Sequence, residues 1–229
     1  MSFGRKFTNI PSFKEKTMTQ LIMIRHGQSV ANEQKRFAGH SDFDLTALGR
    51  RQAELAGEYI YKNFKVDAIY ASDLKRAYNT AVPTSKLFGL PIIKNTDLRE
   101  IFAGEWETLE FNEIAERYPD DMSVWRNSFA YARCTGGESI AELYDRCCGE
   151  ILSIAAENDG KSVVIATHAT PIRVFEAMAR GYGYEYTTNI PFVANASINI
   201  FGVEDNKPYV IKSNITEHVE DILTTVKNI

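Results

Sequence analysis

Two of the four histidines in this 229-residue chain stand directly after short apolar runs. Leu21-Ile22-Met23-Ile24 leads into Arg25-His26-Gly27, and Val163-Val164-Ile165-Ala166 leads into Thr167-His168. Continuous rather than alternating apolar runs mark strands covered on both faces. In sheets of that kind ligands sit at the carboxyl ends of the strands, where loops enter helix N-termini. Both imidazoles therefore belong to one edge, suited to nucleophilic or proton-transfer work on an anion. Between them in the chain lies Ala71-Ser72-Asp73-Leu74-Lys75-Arg76, with Ser72 or Asp73 expected to cap a helix. Arg76 then falls in the first turn, where the helix dipole disfavours a cation by about 0.3–1 kcal/mol. A residue that breaks a local rule is more often functional. Arg25, ending a buried strand, likewise needs an anionic partner. Position alone leaves that partner open between a structural carboxylate and a captured anion.

The elements that hold these side chains follow from pattern. Ala68-Ile69-Tyr70 and Ile92-Ile93 are further short apolar runs. Thr46 can cap a helix whose apolar positions Ala53, Ala56, Ile60 and Phe64 recur at three and four. A second helix runs from about Ser139 with Ile140, Leu143, Tyr144, Cys147, Ile151 and Ile154 on one face. A third follows Thr170, with Pro171 in its first turn. Strands alternating with helices imply an α/β fold around a mostly parallel sheet. Ala196 to Val203 and Tyr209 to Ser213, joined by the turn-rich Glu204-Asp205-Asn206-Lys207, predict a hairpin at a sheet edge.

Composition narrows the function classes. The chain is 44% hydrophobic and 24% charged, ordinary globular values, with 26 basic against 30 acidic residues. A formal charge of −4 offers no global attraction to nucleic acid or an anionic membrane, so any anion must be captured locally. Apolar runs fall far short of the roughly 18 residues a membrane span needs. The absence of a secretory pattern and three cysteines, Cys147 and Cys148 adjacent, point to a reducing cytoplasmic location. Residues 1–19, with Arg5, Lys6, Lys14 and Lys16 and no periodicity, read as a flexible leader, with Met18 an alternative start and a docking arm the other reading. Residues 20–229 read as one domain.

Arg25-His26-Gly27-Gln28-Ser29-Val30-Ala31-Asn32 closely resembles the signature of the histidine phosphatase superfamily, the phosphoglycerate mutase-like family. The resemblance continues in order through Asp44-Leu45-Thr46 with Gly49 and Gln52-Ala53, then Ser72-Asp73-Leu74 with Arg76-Ala77 and Thr80-Ala81. It extends through Leu98-Arg99-Glu100 with Gly104 and Trp106-Glu107, Gly136-Gly137-Glu138-Ser139, and Thr167-His168. It implies a three-layer α/β/α sandwich with an antiparallel edge strand, and a catalytic domain carrying a lid-like insertion at about 101–137. By the same resemblance His26 is the nucleophile that accepts a phosphoryl group, Arg25, Arg76 and His168 bind its oxygens, and Glu100 protonates the leaving alkoxide. The chemistry fits these types. Phosphoryl transfer spreads charge over three oxygens, which two forked guanidiniums match, and the same cations favour a neutral, attacking His26. A phosphate beside Glu100 favours the protonated carboxyl a general acid needs. Gly27 is expected to permit close approach and Asn32 to reach a phosphate oxygen or position His26.

The resemblance implies hydrolysis of a small phosphorylated metabolite, with no metal, cofactor, nucleic acid or membrane; a homodimer is compatible with it. A cofactor-dependent phosphoglycerate mutase is the alternative enzyme and a non-catalytic phospho-ligand sensor the alternative of another class. Glu100-Ile101-Phe102-Ala103-Gly104-Glu105-Trp106 lacks the mutases' His-Tyr-Gly, and only a modest segment precedes Gly136, so the pattern resembles the phosphatase branch. Thr108 replaces the last glycine of that branch's Gly-x-Trp-Glu-Gly, and Asp44 and Cys134-Thr135 stand where prolines are common. Glu105 and Glu107 are rivals to Glu100. His40 reads as solvated or near a pocket mouth, His218 as a packing histidine, and Cys147 and Cys148 as core. The segment between Glu100 and Glu138 holds Trp106, Phe111, Tyr118, Trp125, Phe129 and Tyr131 with Arg117, Arg126 and Arg133. These side chains either pack the segment down or wall a pocket for an apolar or ring-shaped body.

Overall fold

The computed structural model describes residues 17–224, so most of the expected leader lies outside the described residues. Its far end does not: Thr19 already pairs with Val203 in the sheet, moving the boundary forward. The strands are β1 (Thr19–Arg25), β2 (Ala68–Ser72), β3 (Ile92–Asn95), β4 (Ser162–Thr167), β5 (Ile198–Glu204) and β6 (Lys207–Ile215). They form one sheet in the order β3-β2-β4-β1-β5-β6. The first four in that order run parallel, β5 is antiparallel to β1, and β6 to β5. The expected edge hairpin turns at Asp205-Asn206, both in the left-handed region that a tight two-residue hairpin requires.

The continuous apolar runs are explained by the two faces. Leu21, Met23, Val163, Ile165 and Phe201 point into one core, which is closed by helices α6 (Ile140–Glu157) and α7 (Ala169–Ala179). Ile22, Ile24, Val164, Ala166 and Ile69 point into the other, closed by α2 (Ala47–Asn63) and α3 (Lys75–Phe88). Alternate side chains are thus buried on opposite sides, and the architecture is the three-layer sandwich. Cys147 and Cys148 lie in the first core, as expected.

Local rules place the helix starts. Thr46 Oγ1 accepts from Gly49 N at 3.0 Å, and Ser139 closes a reciprocal capping box with Glu142. Two starts differ from the sequence reading. Helix α7 begins at Ala169 with His168 at its cap, leaving Pro171 third in the first turn. Neither Ser72 nor Asp73 caps α3. Ser72 is still in strand β2 and its hydroxyl meets His168, Asp73 is paired with Arg99, and Lys75 N donates to Asp42 Oδ1 at 2.7 Å.

Segment 101–137 folds as a short 3-10 turn (Gly104–Trp106), helices α4 (Phe111–Arg117) and α5 (Pro119–Asn127), and a second turn (Phe129–Tyr131). Trp106 is fully buried, and Phe37, Trp106, Trp125 and Phe129 form a run of edge-to-face contacts at 4.8–5.6 Å. Thr108 has φ +66°, in the left-handed region that glycine favours, and is held there because its N–H donates to Phe37 O and its carbonyl accepts from Arg36. A β-branched residue in that region carries roughly 1–2 kcal/mol of strain. Thr108→Gly is therefore expected to raise the free energy of unfolding by about 1 kcal/mol after the entropy glycine adds to the unfolded chain. Urea titration reads this directly, and a lowered midpoint would contradict the left-handed assignment.

Candidate active site

Strands β1 and β4 are neighbours with Arg25 opposite Thr167, so the residues that follow, His26 and His168, come out side by side. Their rings meet edge to face at 5.2 Å. From β1 the chain goes to α2 on one face, and from β4 to α7 on the other. The crevice between strands whose connections leave in opposite directions is where ligands bind in open α/β sheets. A cavity of about 550 Å3 opens there.

Arg25, His26, Asn32, Arg76 and Glu100 line that cavity; Gly27 and His168 do not. His26 Nδ1 lies 2.7 Å from the carbonyl of Gly27, which can only accept. Nδ1 therefore carries the hydrogen, and Nε2 is left with the lone pair. Burial first, then the charges of Arg76 and Arg25, hold the His26 imidazole well below its ordinary titration range. The expectation of a neutral His26 stands with its causes reordered: the cations reinforce what desolvation begins. His168 is lowered in the same way, by burial and then Arg76. Its Nε2 meets Ser72 Oγ at 2.9 Å, and its buried Nδ1 has no partner among the described residues.

The arginines resolve the question left open by the sequence. Arg25 and Arg76 are buried, and among the described residues neither forms a salt bridge. Arg25 Nη1 donates to Val193 O at 2.6 Å; Arg76 donates to Ser41 O at 2.9 Å and Gly39 O at 2.7 Å. Carbonyl dipoles hold the forks without neutralising them, and Nε of each has no partner. Desolvation pushes both guanidiniums down to about 10, so they remain cations at neutral pH.

Glu100 sits at the N-terminus of α7, with Oε2 3.4 Å from Thr170 N and Oε1 3.0 Å from Ile101 N. Its carbonyl is held by His40 Nε2 at 2.9 Å and Arg146 Nη2 at 3.3 Å. Of the rivals, Glu105 is exposed and Glu107 is engaged by backbone N–H groups, and neither lines the cavity. Asn32 Oδ1 accepts from Ser29 N and Asn195 Nδ2, which leaves its amide N–H groups as what it offers the cavity. Gly27 corrects the expectation. Its N–H donates to Thr80 Oγ1, and a Cβ there would lie 2.3 Å from Gly49 O, so glycine serves a close backbone crossing rather than the ligand. His40 packs on Phe102 and His218 binds Ala196 O, and neither lines the cavity. Among the described residues no three His, Cys, Asp or Glu side chains cluster so as to hold a metal ion, and no helix is long and apolar enough to cross a membrane.

Of the aromatics and cations in segment 101–137, Phe111, Trp125, Arg126 and Phe129 reach the cavity. Arg117 and Arg133 instead pair with Glu113 and Glu142, and Tyr131 is exposed. Sequence reasoning missed Phe37, Lys35, Phe192 and Arg173, which complete the wall. Arg173 is buried within α7, donates to Ile190 O and Thr187 O at 3.1 Å, and lies 4.1 Å over the ring of Phe129. An arginine inside the apolar Ile172-Arg173-Val174-Phe175 was the available signal, since a buried cation needs a reason.

The chain is similar to known proteins in both sequence and fold. The model of the histidine phosphatase superfamily (branch 1) matches residues 21–216. Phosphoserine phosphatase 1 of Hydrogenobacter thermophilus is 31% identical over 88% of this chain and 95% of its own length. The structure of a mycobacterial glucosyl-3-phosphoglycerate phosphatase superposes with a TM-score of 0.79 at 28% identity, covering 86% of this chain and 99% of that one. A phosphoserine phosphatase from Entamoeba histolytica, solved with phosphoserine, gives 0.75 at 25% identity over 88% and 99%.

The buried imidazoles set a pH dependence. An unfolded chain protonates histidine near pH 6.5, whereas the fold keeps His26 and His168 neutral below that. The stability they contribute is complete above about pH 6.5 and is lost as pH falls toward the depressed folded values. Each costs up to about 1.4 kcal/mol per pH unit across that window. Urea unfolding between pH 7 and 5 is expected to show this decline, with a slope shallower by about one proton in His26→Asn. An unchanged slope would mean that the imidazole is solvated in the fold.

Proposed function

The chain belongs to the histidine phosphatase superfamily and is a phosphoric monoester hydrolase, and from that premise we propose how the pocket performs the reaction. The observation that carries the proposal is His26: an imidazole with Nδ1 tied down and Nε2 free, beside two buried arginines without acid partners. Nε2 attacks phosphorus, the bond from phosphorus to the alcohol oxygen breaks, and a phosphohistidine forms. Arg25 and Arg76 neutralise charge on the transferring oxygens. Their fixed position matters because phosphoryl transfer is accelerated mainly by positioning and electrostatics. His168, through its unpartnered Nδ1, and the Asn32 amide supply further donors.

Glu100 is the one carboxylate among the cavity-lining residues described. In this scheme it gives its proton to the departing alkoxide, then takes one from the water that attacks phosphohistidine, releasing phosphate and restoring His26. No step draws on a metal ion, since guanidiniums do the electrostatic work. The described residues from Thr19 on act as one catalytic domain in which segment 101–137 walls the substrate.

The wall indicates the class of substrate. Phe37, Phe111, Trp125, Phe129 and Phe192 present rings, while Lys35, Arg126 and Arg173 add positive charge to that of Arg25 and Arg76. We propose a small phosphomonoester whose body is apolar or ring-shaped and carries a second anionic group. Relatives named for phosphoserine and for glucosyl-3-phosphoglycerate support phosphorylated metabolites as the substrate range.

With chelator present, labelled substrate is expected to leave an acid-labile, base-stable phosphate on His26, and His26→Ala to lose at least about 1,000-fold in turnover. Full turnover by that variant would exclude the mechanism. Glu100→Gln should slow alkyl phosphates by about 100-fold or more and nitrophenyl phosphate far less, because nitrophenolate leaves without a proton; equal losses would remove Glu100 from the acid role. Among substrates, 4-carboxyphenyl phosphate should exceed phenyl phosphate and phosphoserine in kcat/KM by about 10-fold or more. Phosphoryl exchange on 3-phosphoglycerate with a bisphosphate primer, faster than hydrolysis, would favour the mutase instead.

A further inference from the structure

We propose that Glu107 is a positioning residue that aligns Arg76 and Glu100 for catalysis by gripping the loop between Gly39 and Ser41. The proposal rests on the roles assigned above to those two residues. Arg76 donates to two carbonyls, Gly39 O at 2.7 Å and Ser41 O at 2.9 Å, so the direction of its fork follows the path of that loop. The path is set by one carboxylate. Glu107 Oε1 accepts from His40 N at 2.7 Å and Ala103 N at 3.1 Å, and Oε2 accepts from Ser41 N at 2.8 Å and from the Ser41 hydroxyl. Four donors thus converge on two oxygens of a side chain that does not line the cavity.

The fit between loop and carboxylate is close. Gly39 has φ +47°, and a Cβ on it would lie 2.1 Å from Glu107 Oε1, so only glycine allows the backbone to wrap the carboxylate. The same loop carries His40, whose Nε2 reaches Glu100 O at 2.9 Å. Glu107 therefore acts on the phosphate cage through two carbonyls and on the proton donor's backbone through one imidazole. Ala103 N connects it to the chain leading away from Glu100. An amide nitrogen in place of Oε1 would face two backbone donors, and in place of Oε2 one, the Ser41 N–H, since the Ser41 hydroxyl can turn to accept.

The test is a coupling measurement on the full chain, with nitrophenyl phosphate as substrate and orthovanadate as inhibitor. Glu107→Gln is expected to keep the far-ultraviolet spectrum of the parent, to lower kcat/KM by about 10- to 100-fold and to weaken orthovanadate binding to a similar degree. In an Arg76→Lys background, which already lacks the fork, the same substitution should cost less than about 3-fold, because the two changes break one arrangement. Should Glu107→Gln not fold, Ser41→Ala, which removes one donor to Oε2, takes its place with a fall of about 3- to 10-fold and the same non-additivity. Parental kcat/KM and orthovanadate affinity in Glu107→Gln, or losses that simply multiply in the double variant, would overturn the proposal. Parental activity in Arg76→Lys alone would overturn the role of Arg76 and this proposal with it.

Discussion

Positive charge buried with no carboxylate in salt-bridge contact among the described residues is the constraint from which the rest of the structure follows. Taking a guanidinium out of water costs several kcal/mol, and a carboxylate at hydrogen-bonding distance is the usual remedy. Here Arg25, Arg76 and Arg173 are held instead by carbonyls of Val193, Gly39, Ser41, Ile190 and Thr187. A carbonyl dipole satisfies the N–H geometry and stabilises the cation while leaving its net charge intact. The fold thereby stores an attraction for an anion, which in the proposed mechanism a phosphomonoester dianion discharges. Elsewhere the protein uses the ordinary remedy, as in Arg99 with Asp73 and Arg146 with Glu138, so the unpaired set is confined to the cavity and its floor.

The same field suits His26 to the proposed role of nucleophile. Buried beside cations an imidazole remains neutral, and the carbonyl of Gly27 fixes which nitrogen keeps its lone pair. Histidine at an exposed site would share its time between tautomers and a protonated form. Burial costs stability in acid but delivers one reactive state. The sheet supplies the rest of the precision, because His26 and His168 follow strands hydrogen-bonded in register and so are held by the ladder rather than by a loop.

Much of this was legible in the primary structure, and where it was not the reasons are physical. Period and burial go together in continuous runs such as Leu21 to Ile24, so a mostly parallel sheet covered on both faces, with both histidines at one edge, was legible from pattern, while the sandwich came from the family resemblance. Arg76 announced itself by standing where a helix dipole opposes it. Gly27 misled, because a glycine beside a ligand and a glycine at a backbone crossing look alike in one dimension, and Gly49 is too far along the chain to suggest the crossing. Ser72 was read as a cap by a local rule that a long-range partner, His168, overrode. Phe37 and Phe192 lie in stretches without periodicity, and only tertiary packing, of Phe37 against segment 101–137 and of Phe192 against Arg25 and Arg173, makes them a wall.

That segment unites two tasks that enzymes often divide. Its aromatic side chains Phe111, Trp125 and Phe129 pack against Phe37 or one another and line the space for the substrate's body. Its Glu107 holds the loop two residues beyond Phe37, the loop whose carbonyls orient Arg76. The Phe37 ring and the Gly39 carbonyl are thus adjacent parts of one strip of chain, pressed from one side by aromatic packing and tied from the other by a carboxylate. Thr108, strained at φ +66°, closes the strip by bonding Phe37 O. One strip of chain therefore joins the aromatic wall to the backbone carbonyls that hold the Arg76 fork.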